Sequence, residues 1–146
     1  MPSPAQWCPP ALNQYKANFD EAVFRSCSAA GLGVVIHDWH GAVIGALLTR
    51  VPLPQSVVDV EALDCRRAVM FAVEIGLPKV VFEGDAAVVI QAINCGTAEF
   101  SSFGHIIDDI IHYLSALISS EFCYVNRSCN KVADVLAKKS RAGLKF

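Results

Sequence analysis

Lys16-Ala-Asn-Phe-Asp-Glu-Ala-Val-Phe24, Gly31-Leu-Gly-Val-Val-Ile-His-Asp38 and Ala42-Val-Ile-Gly-Ala-Leu-Leu-Thr-Arg50 lie within the first 50 residues of the chain. The first alternates loosely, the other two are largely apolar, and all carry β-branched residues, so each reads as a strand. In the first, a period of two puts Asn18, Asp20 and Ala22 on one face and Phe19 and Val23 on the other. Trp39-His40-Gly41 supplies a turn between the second and third, with Gly41 suited to positive φ. Strands joined this closely form an antiparallel meander.

Downstream the period changes. Pro52 and Pro54 punctuate a connection, and Ser56 or Asp59 caps a long helix that runs to Glu74 before Gly76 and Pro78 stop it. Lys79-Val-Val-Phe-Glu83 reads as a short strand, followed by Gly84-Asp85 and a helix over 86–94. Further elements are a helix over 103–119, a strand over 122–126 and a last helix over 130–139. The order β-β-β-α-β-α-α-β-α predicts an α/β fold. It has one five-stranded mixed sheet, a meander plus parallel strands, with helices packed on it. Residues 1–15 hold four of the seven prolines and read as an extended lead-in or linker. The domain is placed at 16–141, with a tail over 142–146.

The whole is 146 residues, 53% hydrophobic and 18% charged, which suits one domain with a real core. No apolar run approaches 18 residues, so no membrane helix is expected. The net charge of −2 argues against nucleic-acid binding by bulk positive charge. Six of the 12 basic residues nevertheless fall in the last 20 positions: Arg127, Lys131, Lys138, Lys139, Arg141 and Lys145. The six cysteines contain no C-x-x-C pair, which excludes a zinc ribbon, and Cys65 and Cys123 read as core residues. The first residues lack a signal peptide's basic start and apolar run. The expectation is a cytoplasmic or nuclear protein with reduced thiols.

Four carboxylates stand out. Glu61 has Val57, Val58, Cys65 and Ala68 as its helical neighbours, an apolar stripe with one acid in it. Alone it reads as a boundary residue reaching water. Asp85 follows a strand and precedes a helix, the position of an N-cap but also of ligand sites in α/β sheets. Asp20 sits mid-strand, where Asp needs a partner or a task. Asp134 lies one turn after Asn130 and alone reads as solvated surface.

The set, in its order, resembles the ribonuclease H type-1 domain, in particular its retroelement-like (reverse-transcriptase-like) plant form. The resemblance is carried by Trp7-Cys-Pro-Pro10, Lys16-Ala-Asn-Phe-Asp20, Ala30 to Asp38, Gly41-Ala-Val-Ile-Gly45, Val60-Glu-Ala-Leu63, Ala68 to Gly76, Val80-Val-Phe-Glu-Gly-Asp85, Ile93-Asn94, Phe122 to Arg127 and Asn130 to Lys138. It covers roughly residues 7 to 140. It implies catalytic and metal-ligating roles for Asp20, Glu61, Asp85 and Asp134, with two Mg²⁺ ions for which Mn²⁺ can substitute. Such ions, about 3.5–4 Å apart, clamp the attacking and leaving oxygens of a phosphodiester. In that scheme Asp20 bridges both ions, Asp134 serves the water side, and Glu61 and Asp85 serve the leaving 3′-oxygen. A ribose 2′-hydroxyl near Glu61 would distinguish RNA from DNA. The implied activity is endonucleolytic cleavage of the RNA strand of RNA–DNA hybrids. Asn18, Arg127 and Asn130 are candidate substrate contacts, and the chain is expected to act as a monomer or as part of a larger polyprotein.

Three departures from the family pattern matter. Glu21 stands where the family has Gly, and strand alternation points it away from Asp20. Ala86 replaces a Ser. The stretch Asn126-Arg-Ser-Cys-Asn130 contains no loop His. Residues 95–104 also lack Lys and Arg, so no basic protrusion is present. These departures define an alternative: a catalytically weak or inactive module of the same fold that binds nucleic acid or protein.

Overall fold

The computed structural model describes residues 6–96 and 102–140; residues 1–5 of the lead-in and the 142–146 tail lie outside them. Strands β1 (Tyr15–Phe24), β2 (Ala29–His37) and β3 (Val43–Pro52) form the meander. Helix α1 (Val57–Glu74), β4 (Lys79–Gly84), α2 (Ala87–Cys95), α3 (Gly104–Leu114), β5 (Ser119–Tyr124) and α4 (Lys131–Lys139) follow. Single 3₁₀ turns occupy Arg25–Cys27 and Arg127–Cys129. The sheet order is β3-β2-β1-β4-β5, with β1–β2 and β2–β3 antiparallel and β1–β4 and β4–β5 parallel. This is the five-stranded mixed sheet expected from the sequence, and β1 is its central strand.

Local chemistry explains the joints. Gly41 adopts φ 80°, and the Asp38 carboxylate accepts from the His40 and Ala42 N–H groups at 2.9 and 3.0 Å. Of the two candidate caps of α1, Ser56 does the work: its Oγ accepts from the Asp59 N–H at 3.2 Å. Helix α3 ends at Leu114, five residues before the expected Ser119. The Ser115 hydroxyl bonds back to the His112 carbonyl at 2.7 Å, and Ile118 N–H then reaches Pro78 O at 2.7 Å. Pairing with the entry to β4 thus draws the chain into β5 earlier than its apolar pattern indicates.

Helices α1, α2 and α3 cover one face of the sheet. Phe19, Val34, Ile36, Phe82 and Phe122 meet Ala62, Cys65, Ala68, Val69 and Ala72 of α1, Val89 and Ile90 of α2, and Ile106, Ile107 and Ile110 of α3. Phe82 and Phe122 stack with centroids 4.8 Å apart. The small residues of α1 let the helix approach the sheet closely. Cys65 is part of this core, whereas Cys123 is only half-buried. Among the described residues no helix is long and apolar enough to cross a membrane.

Helix α4 covers the opposite face, and two glycines permit it. A Cβ at Gly33 would overlap the Ala133 carbonyl oxygen and come within 2.7 Å of the Ala137 nitrogen. One at Gly31 would overlap Ala137 O and Ser140 Oγ. Gly33 pairs with Asp20 across the β1–β2 ladder. The close approach therefore brings α4 down beside Asp20.

The lead-in is partly docked. Trp7 packs against His37 at a tilt, with centroids 4.4 Å apart, and its indole N–H donates to Asn18 Oδ1 at 2.9 Å. Trp39 packs edge-on against Tyr15 rather than projecting from its turn. Beneath Trp7 lies a buried polar network. Lys16 Nζ bridges Cys8 O at 2.6 Å and the Glu83 carboxylate at 3.0 Å. Asn18 Nδ2 donates to Glu83 Oε1 at 3.2 Å and to Asn130 Oδ1 at 3.0 Å, and Asn130 Nδ2 donates to Phe19 O at 2.6 Å. This network ties the start of α4 to β1.

Candidate active site

The site lies where β1 loses its parallel neighbour. The β1–β4 ladder ends at Asn18–Glu83, and β4 itself ends at Gly84. Beyond that point β1 continues through Asp20 and Glu21 while Asp85 turns off the end of β4. Such a crevice at the carboxyl ends of parallel strands is where α/β sheets accept ligands.

Asp20 is 2% exposed. Its Oδ1 accepts from the Glu21 N–H at 2.9 Å, and its buried Oδ2 has no donor. Burial, the Asp85 charge and Asp134 together push its pKa up to about 7. Asp134 acts on Asp20 through its charge. Asp85 does not cap α2. That helix begins after Ala86 with no side-chain cap, so the Asp85 carboxylate is not spent on the helix end. Glu61 is half-buried on α1, and its pKa is raised by burial and then by Asp85. Asp134 is half-buried in the first turn of α4, and Lys138 one turn later pairs with it at 3.0 Å.

Glu21 corrects an expectation. Its carboxylate does not point away: the ligand oxygens of Asp20, Glu21 and Asp85 all lie within 4.8 Å of one another. The physical reason is the open edge. Alternation places Asp20 on the α4 side, opposite Gly33, and Glu21 on the α1 side, opposite Leu32. With no β4 residue paired beyond Asn18, the long Glu21 side chain reaches around the strand toward Asp85. Burial and then the charges of Asp20, Glu61 and Asp85 push its pKa up to about 8, and its Oε2 finds no donor. Among the described residues Glu61 and Asp134 join no such tight group of three, although both act electrostatically on its members.

Asp64 is a further acid absent from the sequence-derived candidates. It is fully buried on α1, neither oxygen has a hydrogen-bond partner, and its pKa is raised well above the usual range. Burial is the main cause, followed by the charges of Glu21, Asp20, Asp85 and Glu61. The sequence does carry its signal, because 61, 64, 65, 68 and 72 form one helical stripe with two acids in it.

The three candidate substrate contacts separate. Asn18 and Asn130 are buried and bonded to each other and to the protein, so they act as struts between β1 and α4. Arg127 is exposed on the turn before α4. The donor set suits a hard divalent cation: clustered carboxylate oxygens, several buried without a donor, whose mutual repulsion a cation would relieve.

This arrangement matches known families. The profile of the reverse transcriptase-like family aligns with residues 18–140. The chain belongs to the reverse transcriptase-like family. Its fold is that of ribonuclease H. The RNase H1 of the halophilic archaeon Halobacterium salinarum superposes with a TM-score of 0.81 at 17% identity, covering 90% of this chain and 99% of that one. LC11-RNase H1 from compost, solved with an RNA/DNA hybrid, gives a TM-score of 0.69 at 15% identity, covering 89% and 99%. A foamy viral protease–reverse transcriptase, also solved with a hybrid, gives 0.68 at 15% identity, with 90% of this chain matching 20% of that one. No curated protein matches at the sequence level. Within this reverse transcriptase-like domain, Asp20 and Asp85 occupy the end of the central parallel pair, α1 brings Glu61 and Asp64 from one side, and α4 brings Asp134 from the other.

Proposed function

We propose that this protein is a divalent-metal-dependent endonuclease that hydrolyses the RNA strand of RNA–DNA hybrids. Asp20, Glu61, Asp85 and Asp134 would hold two Mg²⁺ ions, for which Mn²⁺ substitutes. The observation that carries the reading is the gathering of Asp20 and Asp85 at the open end of β1, with a buried Asp20 oxygen that lacks a donor and with Asp134 acting electrostatically on Asp20. Family membership and the shared fold support it, as do the RNA/DNA hybrids held by two of the similar structures. When bound, the cation supplies Lewis acidity that activates water and neutralises charge at the phosphodiester.

The chain's own part is positioning. The Glu21 N–H fixes the Asp20 carboxylate. Asn130 anchors the start of α4 to Phe19 O, which sets Asp134 beside Asp20. Arg127, exposed on the turn before α4, would contact a backbone phosphate. The protein would act as a monomer in the cytoplasm or nucleus, alone or as part of a longer polyprotein.

One observation favours a second reading, a hybrid-binding or protein-interaction module with little turnover: Glu21 adds bulk and charge at the centre of the acidic group. A labelled hybrid incubated with Mg²⁺ or Mn²⁺ separates the two. The nuclease reading expects the RNA strand to be cut, and Asp20→Asn to abolish cutting while circular dichroism and thermal melting retain the fold. Intact RNA with both ions would leave only the binding module, and full activity in Asp20→Asn would remove Asp20 from the site.

A further inference from the structure

The four family-matched carboxylates leave two acids unexplained. Glu21 lies with its oxygens within 4.8 Å of those of Asp20 and Asp85. Metal–oxygen bonds of about 2.1–2.6 Å span such separations. Behind it Asp64 is fully buried, and neither of its oxygens has a hydrogen-bond partner. Buried carboxylates are costly unless paired, hydrogen-bonded or metal-bound. Glu21, then Asp20, Asp85 and Glu61, are the charges that act on Asp64, which sets its buried carboxyl near the acidic group. Two such acids, on β1 and α1, are a poor choice for a core and a good one for a cation.

We propose that Glu21 is a cation ligand in this protein, with Asp20 and Asp85, and that Asp64 is the buried positioning residue that holds it there. The inference rests on the metal-dependent reading above and deepens it: the cation seat is displaced toward α1 and gains an anionic oxygen. Its ligand class is a hard divalent cation with mostly carboxylate oxygen donors. Asp64 is too deep to meet substrate and would act on the site only through Glu21. The added charge favours cation uptake, and the Glu21 side chain narrows the approach to Asp20 from the α1 side.

Mn²⁺ titration of the full chain, followed by calorimetry and by the Mn²⁺ paramagnetic resonance signal, tests this without recourse to activity. Glu21→Gln keeps size and removes charge, and should weaken Mn²⁺ binding at least tenfold. Asp64→Asn should weaken it severalfold and change the pH profile of binding, whereas Asp64→Glu should restore part of the affinity. A purely structural Asp64 would alter melting without moving that profile. Circular dichroism establishes that each variant folds. Mn²⁺ bound by the wild type and equally well by Glu21→Gln would overturn this inference alone. A wild type that takes up no Mn²⁺ would overturn both it and the metal-dependent nuclease.

Discussion

In the presence of a chelator, the stability of this protein should fall as pH rises from 5 to 8. Glu21 has an ordinary value of 4.5 and is pushed up to about 8 in the folded chain. Below 4.5 both folded and unfolded states carry its proton, so there is no penalty. Between the two values the unfolded chain releases the proton while the folded chain keeps it, and stability declines with pH. Above about 8 the penalty is complete and constant. A group in that window costs about 1.4 kcal/mol per pH unit. From pH 5 to 8 this gives a ceiling of roughly 4 kcal/mol for Glu21 alone, lowered if its side chain relaxes toward solvent. Asp20, pushed up to about 7, and Asp64, raised well above its usual range, act in the same direction. Because these groups share the same repulsions, their effects do not add. Urea unfolding by circular dichroism at pH 5, 6, 7 and 8 in chelator measures the slope. Glu21→Gln should flatten it, and millimolar Mn²⁺ should restore stability most at pH 8. Equal or greater stability at pH 8 in chelator, or an unchanged slope in Glu21→Gln, would refute the reasoning.

Gly33→Ala should destabilise the chain by about 1–3 kcal/mol, since its methyl group overlaps the α4 backbone; the same shift should carry Asp134 from Asp20 and weaken Mn²⁺ binding in a calorimetric titration. Asn130→Ala should cost about 1–3 kcal/mol by removing the donor to Phe19 O and one of the acceptors of the Asn18 amide, read by urea denaturation. Phe82→Ala removes a fully buried ring stacked on Phe122 and should cost about 3–5 kcal/mol in the same assay, with the acidic group left in place.

The sequence by itself determined the element order, because the signals involved are local. Period-two strands, Gly41 at the hairpin, Ser56 before α1 and Gly76 after it each act through neighbouring backbone. It also nominated Asp20, Glu61, Asp85 and Asp134, since acids at strand ends and on an apolar helix stripe conflict with their surroundings wherever they occur. The end of α3 was not legible: Leu114 and Ala116 to Ile118 stay apolar, and a carbonyl 40 residues before Ile118, at Pro78, draws the chain into β5. Nor was the place of Glu21. Alternation assumes a ladder that continues on both sides, and here the β4 side stops at Asn18. The network of Lys16, Asn18, Glu83 and Asn130 likewise exists only once segments 65 and 112 residues apart meet. Electrostatic repulsion among Asp20, Glu21 and Asp64 depends on distances of a few ångströms, and only the packing of α1 and α4 around the open edge of β1 sets those distances.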